Sequence, residues 1–556
     1  MKKSILLLLA VVVVSVQLQA QSLGGGQVTG NFQIDAQLSR PDSAIGAENV
    51  PQKLLSNVFA NLLYTNGGFS AGVRFESYLD PLLGFNSQYK GAGIANKFMS
   101  YQGDMFEITA GNFYEQYGSG LIFRSYEDRN LGLDNAMMGV NVKFRPVDGV
   151  IIKSMVGKQR YYWDYGKGLV RGIDGEFSIN SLIKKFEESK TRITLGAGFV
   201  SKYEEDQTIL APIDGFKLNL PLNVGAGSFR MDLAHGNWGL QAEYAIKSQD
   251  PNVLNNYIYK GGNALFVSAS YSQKGLGINL QAKRIDNMGF KSERSTAGEM
   301  LYINYIPAMS KQHTYALMAL YPAITQVNGE MGIQADVTYT INKGTLLGGK
   351  YGTTLKLNYS QIMSIDKQPL EGSTTIGEMG TNGYTSEFFK VGDELYYQDF
   401  NVEISKKLSK KSKLALTYAY IAFNPIMENE HGDIHYNNVV VADYTYKLNS
   451  KNVLRGELQW LKSNIEYFDE DKRSGDWLMA LVEWNFTSAF FLSVSDQYNY
   501  NGSQEHYYNV SVGYTHNTTR LQIGYGKQRK GLLCIGGVCR EVPASNGLMI
   551  SLTSSF

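Results

Sequence analysis

The chain has 556 residues and a formal net charge of +1 at pH 7, from 52 basic and 51 acidic side chains. This balance argues against a nucleic-acid partner, because nucleic-acid-binding domains carry an excess of positive charge. The mean hydropathy of -0.23 argues against a bundle of membrane helices. A barrel that crosses a membrane with strands is compatible with it, since half of its strand positions can face water.

A secretory signal peptide is the first predicted element, at residues 1–20. Lys2 and Lys3 precede an apolar run from Ile5 to Val14, and the small residue Ala20 ends the segment. A membrane anchor is the alternative, but the run is shorter than the ~18–20 apolar residues that a membrane helix needs. We therefore expect export and a mature chain that begins at residue 21.

Alternation of apolar and polar residues runs through the rest of the chain. Phe32, Ile34, Ala36 and Leu38 alternate with polar residues, which is the pattern of a strand with one apolar face. The same pattern recurs near 140–145, 276–283, 454–460 and 521–525. A soluble sandwich also alternates, but a single sandwich rarely needs more than about 10 strands, and this chain offers far more.

The connections between strands fall into two classes that alternate along the chain. Tight turns rich in Gly, Asn and Asp, such as 66–68, 235–237 and 517–519, are typical of hairpins. Between them lie longer segments at 40–52, 80–91, 114–136, 202–223, 249–261, 366–393, 464–474 and 531–544. Short turns on a periplasmic rim and long loops on an outer rim are typical of outer-membrane barrels. We predict one all-β domain over 21–556, a transmembrane antiparallel up-and-down β-barrel of about 26 strands, with 24 as the alternative.

The last ten residues predict how the barrel closes. Leu548, Ile550, Leu552 and Phe556 share one face of a strand that ends the chain. An unpaired strand would leave a bare edge, so we expect it to pair with the first strand, near 28–39. The same residues resemble the C-terminal insertion signal of Gram-negative outer-membrane barrels. That resemblance implies the barrel-assembly machinery as a partner during insertion, and outer-membrane lipid and lipopolysaccharide as the surroundings.

Segment 114–136 is the predicted site. It is long, aromatic and punctuated by glycine, and a barrel of about 26 strands would leak unless loops fill it. We expect this segment to fold into the lumen, where its charged residues would form a constriction or contact a solute: Glu115, Arg124, Glu127, Asp128 and Arg129. The alternative is a surface loop with solvated ion pairs, each worth under ~1 kcal/mol.

Other chemistry is sparse in the sequence. No phosphate-binding loop, nucleophile elbow or zinc-protease motif is present, so we expect no catalytic residues and no enzyme activity. A cluster between Glu428 and His435 is more simply a solvated loop than a metal site, and we expect no metal or cofactor. Cys534 and Cys539 predict a disulfide, because exported proteins meet oxidising conditions.

The chain resembles porin-like outer-membrane β-barrel proteins of Gram-negative bacteria. It is most similar to large single-chain barrels of unassigned function with a GNFYEQYGSGLIFR-type segment, here 111–124, and a late CxxxxC. The resemblance implies a channel for passive or selective passage of small polar solutes. A non-conducting surface or scaffold barrel whose loops bind a partner is the alternative, and the oligomeric state stays open.

Overall fold

The computed structural model describes residues 21–210, 215–428, 430–466 and 473–556. The predicted signal peptide at 1–20 lies outside the described residues. The main sheet has 25 strands, of which the short Gln21–Leu23 pairs only with the start of the next strand. The other 24 are antiparallel and close into a barrel. In chain order, β1 to β24 are Gly26–Arg40, Leu55–Asn66, Phe69–Tyr78, Gly91–Gln102, Phe106–Phe113, Met137–Phe144, Val150–Tyr161, Asp164–Ser178, Thr191–Tyr203, Asn223–His235, Trp238–Lys247, Gly262–Gln273, Leu276–Asp286, Gly329–Ile341, Thr353–Ile365, Val391–Lys407, Ser412–Phe423, His435–Lys447, Val453–Ser463, Asp476–Asn485, Phe490–Asn501, His506–His516, Thr519–Gln528 and Ser545–Ser555.

The predicted antiparallel up-and-down barrel is confirmed, with the lower of the two strand counts. The difference lies in 287–328, which the sequence pattern did not mark as a long connection and which joins β13 to β14. This segment is as apolar as a strand, but its apolar side chains are buried. Ile303, Met309 and Leu317 have no exposed surface.

The barrel closes where the sequence predicted it. β24 pairs with β1 in antiparallel register, Leu552 opposite Ile34 and Ser555 opposite Asn31. Gly30 and the terminal Phe556 exchange two backbone hydrogen bonds, of 3.0 and 2.9 Å. The hydroxyl of Ser551 donates to Asp35 inside the barrel at 2.6 Å. Leu548, Ile550 and Leu552, at the alternate positions, therefore have the opposite, outward orientation.

The strands alternate between an apolar outer face and a polar inner face. On β10, Phe229 is 58% exposed, whereas its neighbour Arg230 is 3% exposed. Leu458 and Val482 on later strands are likewise exposed. An apolar outer face on a closed sheet is the arrangement of a barrel in a membrane. Among the described residues, no helix is long and apolar enough to cross a membrane.

The two rims differ as predicted. The short-turn rim joins β2 to β3 and β22 to β23 with two residues each, and carries the helix Ile179–Leu182 and the 3-10 helix Lys184–Phe186. The long-loop rim carries the 3-10 helices Ser43–Ile45, Ser87–Tyr89, Val253–Asn255 and Pro425–Glu428. It also carries the three segments that reach the lumen, 114–136, 287–328 and 529–544. The rest of the strands lie in these segments: Gln116–Tyr117 with Phe123–Arg124, Glu127–Asp128 with Leu133–Asp134, and Gly531–Ile535 with Val538–Val542.

Candidate functional site in the barrel lumen

Segment 114–136 lies against the inner face of the barrel. The backbone N–H of Ser119 donates to the Glu243 carboxylate on β11 at 2.7 Å. Gly118 lies so close that a Cβ there would be 2.6 Å from the same carboxylate. Tyr117 and Leu121 have no exposed surface. The segment is thus packed between strands, and its glycine permits the close approach.

Glu115 forms the first charged contact of this segment with the wall. Its carboxylate lies 3.0 Å from the ammonium of Lys143 and 3.6 Å from that of Lys153. Burial acts to raise the pKa of Glu115, but the two lysines and a hydrogen bond from the backbone of Gln116 outweigh it and lower that pKa. Glu115 is therefore a fixed negative charge between two strands.

A second, larger charge cluster involves Asp134, which the sequence analysis did not single out. Arg74 on β3 pairs with Glu76 at 2.7 Å, with Glu127 at 2.8 Å and with Asp134. Arg160 on β7 pairs with Glu76 at 2.7 Å and with Asp134 at 2.6 Å. Burial acts to raise the pKa of Asp134, but the two guanidiniums outweigh it and hold that pKa below its usual value. The cluster ties the end of the segment to two strands of the wall.

The other predicted residues have different surroundings. The guanidinium of Arg129 pairs with Glu127 at 2.8 Å. Both residues therefore belong to the second charge cluster, which we call the Arg74 cluster and which consists of Arg74, Glu76, Glu127, Arg129, Asp134 and Arg160. The guanidinium of Arg124 lies 4.3 and 4.1 Å from the ring centroids of Tyr126 and Tyr305. Asp128 accepts hydrogen bonds from the backbone of Asn130 and Leu131 and holds a turn. The five predicted residues thus occupy four distinct environments.

The sequence analysis missed the second inner segment, 287–328. Its Tyr305 donates a backbone hydrogen bond to Gly120 at 2.9 Å, so the two inner segments pack on each other. Further along, His313 lies 2.6 Å from Asp399 on β16, and the backbone of Leu317 donates to Gln459 on β19 at 2.9 Å. The segment therefore spans the lumen. Its length and its charged residues, such as Lys311, within an apolar stretch are the signals that distinguish it from two strands.

The last long connection, 529–544, covers a third part of the lumen. Its two strands place Cys534 opposite Cys539, and the predicted disulfide is present. Tyr305 donates through its hydroxyl to the carbonyl of Gly536 at 2.9 Å, and Thr325 donates through its backbone to that of Gly537 at 3.2 Å. The disulfide-linked hairpin thus rests on segment 287–328.

Two cavities remain along the strands on either side of the closure, β21 to β24 with β1 and β2, which we call the seam. One measures about 430 Å³ and the other about 290 Å³, and both are lined by Asn509 and Leu533. Their other polar strand residues are Gln33, Asp35, Asn57, Ser495, Gln497, Ser511, Gln522, Lys527, Gln528 and Ser551. The seam therefore keeps open space between polar strand residues and apolar side chains such as Phe59, Phe85 and Leu533.

Towards the short-turn rim, partly exposed ion pairs line the inner wall. Lys356 pairs with Glu403 at 2.9 Å, and Arg455 pairs with Asp443 at 2.9 Å. Opposite charges on neighbouring strands balance one another, and such a wall suits polar solutes without a strong preference for one sign. Within the described ranges, no group of three or more His, Cys, Asp or Glu side chains is placed to hold a metal ion.

Comparison with known proteins gives one match over the whole chain, to the family model DUF6029, a family of unknown function, over residues 1–556. No curated protein matches. Among solved structures, the P pilus usher (PapC) translocation pore is 9% identical, with a TM-score of 0.44 over 95% of this chain and 99% of that one. The siderophore receptor PirA from Pseudomonas aeruginosa is 10% identical, with a TM-score of 0.41 over 95% and 80%. OccAB4 from Acinetobacter baumannii is 11% identical, with a TM-score of 0.33 over 95% and 98%. These likenesses are too distant to assign a function to this chain.

Proposed function

Because the chain belongs to DUF6029, a family of unknown function, we propose its function from the lumen: it is an outer-membrane channel for small polar solutes, and the solutes pass along the seam. The proposal assigns no catalytic chemistry to the chain. Solutes would enter at the long-loop rim, pass beneath the hairpin of 529–544 and reach the wide, charge-lined part of the lumen on the periplasmic side.

The uneven filling of the lumen carries this proposal. Segments 114–136 and 287–328 bury an apolar core inside the barrel, with residues such as Tyr117, Ile303 and Leu317 fully enclosed. A polar solute has no route through such a core, because it would lose its hydrogen bonds to water. The seam keeps two adjoining cavities, each with polar strand residues on one side, and there the solute would exchange water for side-chain amides and hydroxyls.

The charges along the seam nearly balance. Arg129, Arg540 and Lys527 line the two cavities, and so does the carboxylate of Asp35. Lys527 is paired with Asp42 at 2.8 Å, and Arg129 with Glu127. The wild-type path therefore favours polar solutes without a strong preference for one sign of charge.

Reversal potentials in planar bilayers test the route. Asn509 lines both seam cavities, so Asn509→Asp adds a negative charge to the path and is expected to shift the selectivity towards cations. Asn141→Asp is the matched control, because Asn141 is buried behind segment 114–136 and donates to Glu115 at 3.2 Å. It is expected to lower stability by placing two carboxylates together, and to leave the reversal potential unchanged. A shift in the control and none in Asn509→Asp would contradict the seam route.

The packed core also favours a second candidate, a non-conducting surface or scaffold barrel whose outer loops bind a partner. A core with fully buried side chains such as Phe123 and Met309 resembles that of a soluble protein. The test is the conductance of the refolded mature protein in planar bilayers, with heat-modifiable migration in gels as the proof of folding. A folded protein that shows no conductance would reject the channel and favour this candidate.

A further inference from the structure

A cavity of about 520 Å³ opens at the long-loop rim, beside the larger seam cavity, with which it shares Phe85 and Arg540. Five connections form it: 79–90, 114–136, the turn 162–163, 287–328 and 529–544. We propose that this cavity is a binding site for a small molecule with a planar apolar body and one anionic group. The binding does not depend on whether the barrel conducts.

The walls of the cavity are mainly apolar, and the residues of its inner part are buried. Tyr89 is 4% exposed and Tyr162 is 8% exposed, and their ring centroids are 4.8 Å apart, edge to face. Leu131, Leu133 and Met300 are also buried and complete the apolar lining. The volume falls within the roughly 300–1,000 Å³ of small-molecule sites. A planar ring system suits such walls because aromatic side chains pack against flat faces and edges.

Arg540 supplies the polar contact. Its Nε donates to the carbonyl of Asn130 at 2.9 Å and its Nη1 donates to that of Leu83 at 3.3 Å. The guanidinium carbon lies 4.3 Å from the ring centroid of Phe85, so the head group is held in place. Among the residues that the structure describes, no carboxylate forms an ion pair with Arg540. Its charge is thus fixed, half-buried and available to a ligand anion.

Two carboxylates also line the cavity, but they do not cancel this charge. Glu541 pairs with Lys530 at 3.0 Å, and both side chains are exposed. The side chain of Glu299 is exposed by surface area, but desolvation outweighs Lys291 and raises the pKa of Glu299, which favours its neutral form. Water and salt screen exposed charges much more strongly than buried ones, so an anion deep in the cavity interacts mainly with Arg540.

A tight turn fixes the position of the Tyr162 ring. Tyr162 and Trp163 form the two-residue turn between the paired residues Tyr161 and Asp164, and the φ of 55° at Tyr162 is what such a hairpin turn requires. The carbonyl of Tyr162 accepts a hydrogen bond of 2.8 Å from Nε of Arg160, itself part of the Arg74 cluster. The turn therefore holds the ring in the wall of the cavity.

Binding of 2-naphthoate to the purified full-length protein in detergent, measured by calorimetry, tests the proposal. The neutral 2-naphthamide has the same ring system without the charge. The wild-type protein is expected to bind one 2-naphthoate, about tenfold more tightly than the amide, since a charge-assisted hydrogen bond accounts for a difference of that size. Arg540→Gln should lose this preference and still bind the amide as the wild type does.

Arg520→Gln is the matched control, because Arg520 lies on β23 near the short-turn rim and lines no part of this cavity. It should leave both affinities unchanged. Absence of saturable 2-naphthoate binding, or an unchanged preference in Arg540→Gln, would overturn the proposal. If Arg540→Gln loses both ligands, Arg540→Lys decides: a retained preference for the carboxylate supports the site, and its loss overturns it.

Discussion

The packed side of the lumen and the seam are built from the same kind of strand, polar on the inner face, yet they have opposite interiors. Arg74, Arg160 and Glu243 on the packed side are nearly fully buried by the segments that cover them. Asn509 and Gln522 on the seam line open cavities. The connections differ. β5–β6 and β13–β14 are joined by long segments that pack against the wall, whereas β21 and β22 are joined by residues 502–505. The hairpin of 529–544 between β23 and β24 rests on segment 287–328 and leaves the seam cavities open. The interior of a large barrel is thus determined by its loops as much as by its strands.

Removal of residues 118–132 should open the packed side of the lumen to water, as the seam already is. We expect this deletion to change the conductance more than any other variant considered below. This deletion removes the contacts of Ser119, Leu121 and Tyr126 with the wall and with segment 287–328, so water should enter the packed side. Single-channel conductance in a planar bilayer is expected to rise severalfold. Deletion of 370–379, in a surface connection, should leave it unchanged. Equal conductance of both deletion variants, each folded, would contradict the packed interior.

The Arg74 cluster determines how firmly the packed side is held. Asp134→Asn leaves two buried guanidiniums short of a carboxylate, and loss of one partner of a buried ion pair costs roughly 3–5 kcal/mol. Urea unfolding in micelles should show this decrease in the free energy of unfolding. Asp128→Asn, at a residue that holds a turn without an ion pair, should cost about 1 kcal/mol or less.

Acid should weaken the same cluster. The folded-state pKa of Asp134 lies below the ordinary aspartate pKa of 3.8, so the stabilising effect of the carboxylate is complete above that value and is lost as the pH falls through the lower, folded-state pKa. The wild-type protein should therefore lose more stability than Asp134→Asn as the pH falls below about 4. Parallel losses in the two proteins would assign the acid sensitivity to other groups.

Removal of the disulfide tests how the hairpin of 529–544 is held over the seam, and we expect a smaller change in stability than at Asp134. Cys534 and Cys539 are 5 residues apart, and closing so short a loop accounts for about 2 kcal/mol in the chain-entropy account. Cys534→Ser should lose up to that amount in urea unfolding while the hairpin stays in place, because Tyr305 and Thr325 still hold Gly536 and Gly537. A large change in conductance would show that the disulfide itself fixes the hairpin.

The smallest effect is expected at Tyr117, inside the packed core. Its hydroxyl is buried without a hydrogen-bond partner in the described structure, so Tyr117→Phe should leave the free energy of unfolding unchanged or raise it by up to ~1 kcal/mol. Tyr89→Phe is the contrast, since the hydroxyl of Tyr89 donates to the carbonyl of Gly132 at 2.8 Å. That variant should lose about 1 kcal/mol, and an equal loss at Tyr117 would indicate a partner in the folded protein.

Local patterns made the wall of this barrel predictable. Alternation fixes which residues face outward, and turn residues fix where strands reverse, so the closure of β24 on β1 followed from residues such as Leu552 and Phe556. The lumen depends on contacts between distant parts of the chain. The apolar side chains of segment 287–328 are buried inside the barrel, where they avoid water as they would in lipid. The apolar pattern of the sequence alone therefore cannot distinguish this segment from two membrane-spanning strands. Asp134 is important because it pairs with Arg74 and Arg160. These residues are far apart in the sequence, and no sequence spacing indicates that they are close in the fold.

The hydrogen bond from Tyr305 to Gly536 has a consequence for biogenesis. It joins a residue in the middle of the chain to one near its end, and Tyr305 in turn contacts Gly120. The three inward connections can therefore complete their mutual packing only after the chain has been delivered as far as Gly536. Contacts of such high sequence separation form slowly, so the wall is expected to form around a still hydrated interior, with maturation of the interior as the final step of assembly.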